Sequence, residues 1–278
     1  MVNVRRVKVK SLLSPTKLGA DFVINPYVGC PHGCLYCYAA CIIRSRSGRG
    51  EAWGQYLDVK EPSAPIDLAK VFHKEILMSS MTDAYNPYEE RAQATRGILR
   101  SLLPAQPSIT IITKSALVTR DIDIFKEFPR VKVVFSFSSL DDGFRRIMEP
   151  HASSPRKKLA ALAVLKEAGI ETGVMTAPIF PLITDCAAII EAAAPYATEM
   201  NFDTLNFRGQ NRERLLALIG TLRPELNGLY DEIYRQGRHD YWRRLREEIE
   251  HRCRRSGIEA SIFFDISPQH KGAKTSIL

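Results

Sequence analysis

The sequence predicts an α/β fold in which helices wrap a parallel sheet, and three observations predict it. Short runs rich in Val, Ile, Phe and Thr alternate about six times with longer helical patterns before residue 207. Each return to a parallel neighbour needs a long crossover, which a helix supplies, so the alternation places helices outside the sheet. The composition, 45% hydrophobic and 25% charged over 278 residues, excludes disorder as the main state.

In chain order, strands are expected over 23–28, 75–80, 108–113, 131–137, 172–177 and 200–206. Helices are expected over 64–73, 88–103, 119–127, 154–168, 185–194 and 211–222. The pattern over 154–168 is the clearest: Ser154 stands at the N-cap and Pro155 at the first helical position. Leu159, Leu162, Ala163 and Leu165 follow, and Gly169 closes the end. Six such units form either an open, partial barrel or a doubly wound sheet. In both, the active face lies at the C-terminal ends of the strands, where the βα loops converge. After residue 207 an Arg-rich and Glu-rich helical stretch, 228–255, precedes a last apolar run from Ile258 to Phe264. This part is expected to pack on the barrel as an extension.

Net charge is +8, and it is uneven. Residues 1–20 hold five basic groups and no acid, and 208–257 hold 12 Arg against eight acids. Residues 21–207 are close to neutral, with 20 basic and 21 acidic groups. The division expected is a basic N-terminal arm (1–20), a catalytic unit (21–207) and a C-terminal extension (208–278). Positive flanks on a neutral centre suit either an anionic partner or plain solubility. In the extension, Tyr230, Tyr234, Tyr241 and Trp242 fall among arginines, an interleaving that suits stacked bases. Their spacing also fits one helical packing stripe. No apolar segment is long enough to span a membrane, and the basic N-terminus has no apolar core behind it. The chain is expected to be cytoplasmic.

Of six cysteines, four lie within 12 residues: Cys30, Cys34, Cys37 and Cys41. In a chain read as cytosolic, such clustering points to metal or redox chemistry rather than disulfides. The spacing C-x3-C-x2-C directly follows the first expected strand. Three thiolates can hold three irons of a [4Fe–4S] cluster and leave the fourth open to chelate a small molecule. Gly29 and Gly33 let the backbone close around so bulky a group. Zinc is the competing metal, with His32 or Cys41 as its fourth donor.

These residues resemble the radical S-adenosylmethionine (SAM) superfamily. The likeness extends to its spore-photoproduct-lyase-like branch through Asn25-Pro-Tyr-x-Gly-Cys-x-His-Gly-Cys-x-Tyr-Cys-Tyr-Ala39. Further matching blocks are Thr82-Asp83-x-Tyr85-x-Pro87-x-Glu89, Thr113-Lys114-Ser115 and Ser136-x-Ser138-Ser139-Leu140-Asp141. Glu149-Pro150 with Arg156, Ala168-Gly-Ile and Pro178-Ile-x-Pro181-x-Ile-Thr-Asp185 complete them. The likeness runs from residue 25 to about 207 and fades beyond. It implies a partial (β/α)6 TIM-type barrel, here with a helical, Arg-rich C-terminal extension. It implies that Cys30, Cys34 and Cys37 bind the cluster and that SAM chelates the open iron. One electron, from a donor of the flavodoxin or ferredoxin type, would cleave SAM to methionine and a 5′-deoxyadenosyl radical. That radical would take hydrogen from an unactivated carbon, in a reaction sensitive to oxygen.

The same matches imply the cofactor pocket. Thr82 and Asp83 suit the SAM ammonium, since hydroxyl and carboxylate accept from a cation. Lys114 and Ser136 suit its carboxylate or ribose, and Tyr36 its adenine. Pro178, Asn206 and Phe207, at the ends of the fifth and sixth strands, are expected to line the adenine pocket. Glu149 and Arg156 are expected to pair and shape a loop. The branch's hydrogen-donor cysteine falls near Ser80 here, and no Cys lies between Cys41 and Cys186. The likeness therefore implies the radical machinery without the repair reaction, and the substrate is open: an anionic metabolite, a peptide or a nucleic acid. Cys41, Cys186 and Cys253 form no visible motif for a second cluster. The alternative is an iron–sulfur protein that binds nucleic acid or senses without radical catalysis. Thr82, Asp83, Lys114 and Ser136 would have no task in such a protein.

Overall fold

A computed structural model of the chain describes residues 2–44, 48–207 and 211–264. The chain opens with β1 (Asn3–Val9), β2 (Leu13–Pro15), β3 (Phe22–Ile24) and β4 (Tyr27–Val28), followed by α1 (Tyr38–Arg44) and β5 (Tyr56–Pro62). The one-turn α2 (Leu68–Val71) leads to β6 (Glu75–Met78), α3 (Glu89–Ala92) and α4 (Ala94–Leu102). Next come β7 (Ser108–Thr113), α5 (Ile122–Phe125), β8 (Val131–Phe137), α6 (Asp142–Met148) and α7 (Pro155–Glu167). β9 (Glu171–Ile179), α8 (Cys186–Ala193) and β10 (Glu199–Thr204) complete the alternation. α9 (Asn211–Leu222), α10 (Asn227–Tyr234), α11 (Asp240–Ser256) and β11 (Glu259–Ile262) form the C-terminal part.

Eight strands form the main sheet in the order β11-β10-β9-β8-β7-β6-β3-β2. From β3 to β11 every neighbour is parallel, and β2 runs antiparallel on β3. The strands follow chain order in one direction without reversing. A doubly wound sheet reverses at its switch point, so this is the partial TIM-type barrel. In β7, Ile109, Ile111 and Thr113 are buried while the alternate residues are only half-buried. Ile109 and Ile111 belong to the main core with Val133, Phe135, Leu99, Leu162 and Ile190.

Several elements depart from sequence expectation. Residues 3–9, within the expected basic N-terminal arm (1–20), form β1. It pairs in parallel with β5, which pairs with β4, in a separate three-stranded sheet. There Arg5 meets Asp58 at 3.2 Å and Arg6 meets Glu61 at 2.6 Å. Val4, Val7 and Val9 sit between these bases and supply the strand's partly buried positions. The helix expected over 64–73 is one turn, and that over 88–103 breaks at Gln93, whose φ is +49°. Residues 116–121 form a 3-10 turn ahead of α5. The stretch 228–255 is two helices, α10 and α11, separated by a segment with Gly237 at φ +69°. The helix expected over 154–168 forms as read: Ser154 Oγ accepts from Lys157 N at 3.3 Å, and Gly169 takes φ +81°. The last apolar run does more than lie on the barrel, because β11 joins β10 as a further parallel strand of the sheet. Residues 208–210 and 265–278 of the extension lie outside the described residues.

Candidate active site

The segment after β4 turns back on itself through glycines. Gly29 has φ +86°, and a Cβ there would lie 2.6 Å from the Tyr56 carbonyl oxygen. Gly33, at φ +65°, packs against Gly54, where a Cβ would come within 2.8 Å of Gly33 Cα. The loop closes on its own backbone: Gly33 N donates to Cys30 O at 3.1 Å and Cys37 N to Cys34 O at 3.2 Å. Cys30 and Cys34 are buried and Cys37 is half-buried. Burial pushes all three thiols up from their ordinary range, so the protein by itself keeps them protonated.

A second wall comes from the loop after β6. Asn25 Oδ1 accepts from both Ser80 N and Met81 N at 2.9 Å, and Tyr38 Oη donates to Ser80 O. Thr82 Oγ1 donates to Gly29 O at 2.6 Å, tying this loop to the cysteine loop. Asp83 is buried and accepts from Thr113 Oγ1 at 2.7 Å, Lys114 N at 2.8 Å and Tyr85 N at 2.9 Å. His32 Nε2 lies 3.2 Å from Asp83 Oδ2 without the alignment of a hydrogen bond. Burial would push the Asp83 carboxyl up. The contacts from His32, Lys114 N and Thr113 outweigh it and hold the group below its ordinary value.

The third wall is a buried charge network at the ends of β7 and β8. Lys114 Nζ donates to Ser136 Oγ at 2.5 Å and lies 3.3 Å from Glu149 Oε1. Tyr36 Oη also donates to Glu149, and its ring meets Phe180 edge-on at 5.6 Å. Lys158, fully buried, donates from Nζ to Ser136 O at 2.7 Å and sits 4.2 Å from the centre of the Phe137 ring. Burial pulls the Lys158 ammonium down to about 8. Burial would push Glu149 up, but Lys114 and Lys158 reverse this and hold it at about 2.

The three walls enclose a cavity of about 350 Å³. Cys30, Cys34, Cys37, Tyr36 and Thr82 all line it, as do Asp83, Lys114, Ser136, Pro178 and Asn206. Every residue that the sequence nominated for the cluster or for SAM binding, apart from Phe207, therefore reaches one space. Phe207 packs on Tyr234 instead, with ring centres 4.7 Å apart. Leu18, Leu77, Met81, Ile112 and Met175 make much of the remaining wall apolar.

The expected Glu149–Arg156 pair does not form. Arg156 is exposed on α7, and Glu149 is enclosed by Tyr36, Lys114 and Lys158. The signal for Lys158 was present in the sequence. Pro155, Lys158, Ala161, Leu162 and Leu165 form the buried stripe of α7, and Lys158 is the one charged member of it. Asn25 lay inside a quoted motif without a structural task and His32 stood as a candidate zinc donor, because the partners of both are remote in sequence.

The extension is less available to anions than its composition suggests. Many of its arginines face acids, among them Arg235 with Glu213 at 2.7 Å and Arg252 with Glu248 at 2.9 Å. Tyr230 and Trp242 are buried, so the aromatic stripe packs inward instead of offering stacking faces. Cys186 and Cys253 are buried on α8 and α11, away from the cysteine loop.

A family model described as the Radical SAM superfamily matches residues 24–192. An uncharacterized protein of Methanocaldococcus jannaschii is 34% identical over 209 residues, covering 74% of this chain and 79% of its own. Among solved structures, a spore photoproduct lyase complexed with dinucleoside spore photoproduct superposes with TM-score 0.65 at 16% identity. The match covers 94% of this chain and 82% of that one. Streptococcus suis SuiB bound to S-adenosylmethionine superposes with TM-score 0.56 at 12% identity, over 90% of this chain and 53% of that one. No helix of the described residues is long and apolar enough to cross a membrane.

Proposed function

The chain belongs to the radical SAM superfamily, whose cofactors are a [4Fe–4S] cluster and SAM, and from that membership we propose the division of labour within its cavity. Cys30, Cys34 and Cys37 hold the cluster. Their chemistry fits it: three thiols on one glycine-hinged loop provide three soft ligands and leave one iron for SAM. Among the described residues no three His, Cys, Asp or Glu side chains are already drawn to metal-bonding distance, so the fit rests on the donor set. A bound cation would offset the burial that now keeps these thiols protonated, and would release their protons on binding.

Bound there, the two groups supply reductive cleavage of SAM to a 5′-deoxyadenosyl radical, which abstracts hydrogen from a substrate. The chain's own residues bind, orient and shield. Lys114 and Ser136 offer an ammonium and a hydroxyl to the carboxylate or ribose of SAM. Tyr36, Pro178 and Asn206 line the adenine side, and Thr82 keeps its loop on the cysteine loop through Gly29. The apolar residues of the wall exclude water from the reacting carbon. The observation that carries this reading is the convergence of ten residues, from blocks spread between 30 and 206, on one cavity.

The proposal extends to the surroundings. Residues 21–207 form the catalytic unit and 208–278 the extension. The reductant is of the flavodoxin or ferredoxin type, the setting is the cytoplasm, and the loaded protein is oxygen-sensitive. The substrate is undefined. Binding to nucleic acid is weak and salt-sensitive, since many arginines of the extension already face acids. Retention of nucleic acid on a filter at low salt supports that last point, and no retention removes it. The central test is anaerobic reconstitution followed by dithionite reduction with SAM. The expected result is 5′-deoxyadenosine above a variant with Cys30, Cys34 and Cys37 all replaced by Ala. Equal yields from the two proteins overturn the assignment.

A further inference from the structure

His32 lies inside the C-x3-C loop, yet its side chain is almost wholly buried, at 1% exposure, and it reaches both Asp83 of the second wall and the backbone of His151. Nδ1 lies 3.0 Å from the carbonyl oxygen of His151, and the backbone nitrogen of His151 donates in return to the His32 carbonyl at 3.4 Å. Nε2 faces Asp83 at 3.2 Å. Asp83 is itself anchored to the end of β7 through Thr113 Oγ1 and Lys114 N, and within its own loop by Tyr85 N. A side chain with two remote contacts from the middle of a ligand loop fixes that loop as a strut does. Burial of the ring also makes every lost contact costly.

We propose that His32 is a positioning residue for the cofactor site: it joins the cysteine loop to the Asp83 wall and so sets how SAM meets the cluster. This rests on the assignment of the cluster to Cys30, Cys34 and Cys37. On this view the Asp83 carboxylate, already engaged by three hydrogen bonds, works chiefly as the anchor of the strut. His32 contributes no iron ligand. The His151 contact holds the loop in place, and the Asp83 contact sets its distance from the SAM wall.

The two contacts separate by substitution, because an Asn amide nitrogen falls near the Nδ1 position and a Gln amide nitrogen near Nε2. The full chain is reconstituted anaerobically as wild type, H32N and H32Q, with C34A as control. Iron content is measured, and the EPR signal of the dithionite-reduced cluster is followed as SAM is titrated. Both His32 variants are expected to take up iron as wild type does. H32N is expected to need on the order of tenfold more SAM for the SAM-induced spectral change, the scale of one lost buried contact with a carboxylate. H32Q is expected to respond close to wild type. Wild-type SAM dependence in H32N, or a loss in H32Q equal to that in H32N, overturns the proposal. Loss of iron from both variants also overturns it, because His32 then acts as a ligand or a fold determinant. Failure of the wild type to exceed C34A in iron-dependent signal is a different outcome, and it overturns the cluster assignment beneath.

Discussion

Lys158 Nζ donates to the carbonyl oxygen of Ser136 at 2.7 Å, reaching from a helix to the end of a central strand. Ser136 Oγ receives Lys114 Nζ at 2.5 Å on the other side. One residue of β8 is thus held between two buried ammonium groups, and Glu149 compensates both. The network is largely shielded from solvent, so its members are expected to act on stability as well as on SAM binding.

Glu149 is held at about 2 against an ordinary value of 4.5. A depressed carboxyl contributes stability that is present above the unfolded value and is lost as pH falls through the folded one. The apo protein is therefore expected to lose stability on acidification between about 4.5 and about 2. Glu149→Gln should flatten that window and lower stability at neutral pH by about 3 kcal/mol. Urea unfolding of both proteins at several pH values measures this, and parallel pH profiles would contradict it.

Lys158 gives a slope of the same sign in a higher window, although there the charged form is the one disfavoured. Its ammonium is pulled down to about 8 by burial, so the folded state binds fewer protons than the unfolded state between about 8 and its ordinary 10.5. Stability of the wild type should rise across that window relative to Lys158→Met. At neutral pH the Met variant should lose about 1–3 kcal/mol, because the Ser136 carbonyl is left without its donor. Thermal melts at neutral and alkaline pH test both halves, and a constant difference between the proteins would refute the titration argument.

Gly29→Ala places a methyl 2.6 Å from the Tyr56 carbonyl at a φ of +86°. Backbone cannot yield there as a flexible side chain would, and the left-handed conformation adds a cost of its own. The expected result is iron uptake close to that of the cysteine variants. Gly50→Ala, which meets nothing within 4 Å, should load as wild type. Iron assays after reconstitution compare the two directly.

Asn25→Ala removes the acceptor shared by Ser80 N and Met81 N. Each orphaned donor costs about 1–3 kcal/mol, and the loop that carries Thr82 and Asp83 should loosen with it. SAM affinity of the reconstituted protein is expected to fall. Asn25→Asp keeps the accepting oxygen and should recover most of the loss, as calorimetric titration would show.

The resemblance to the superfamily implied ten of the cavity-lining residues, and the sequence by itself determined the alternation of strands and helices and the cysteine loop. These are local signals: a 2-residue or 3.6-residue period, a C-x3-C-x2-C spacing, a glycine where the chain must turn tightly. β1 escaped because its half-buried valines alternate irregularly with bases whose acidic partners lie some 50 residues away. The choice between barrel and doubly wound sheet also needed the structure, since periodicity marks each βα unit but not the side on which the next strand is added.

Only the tertiary structure decided who pairs with whom in the buried network. Arg156 and Lys158 both follow Glu149 closely, and sequence proximity favours the arginine. The turn of α7 points Lys158 inward and Arg156 to solvent, so Lys158 adds to the field on Glu149, whose direct ion-pair partner is Lys114 at 3.3 Å. His32 shows the same limit, for its two partners, Asp83 and His151, come from loops about 50 and 120 residues further along the chain. Charge pairing inside a protein is governed by distance and burial in three dimensions, and those follow from how the βα units close around the sheet.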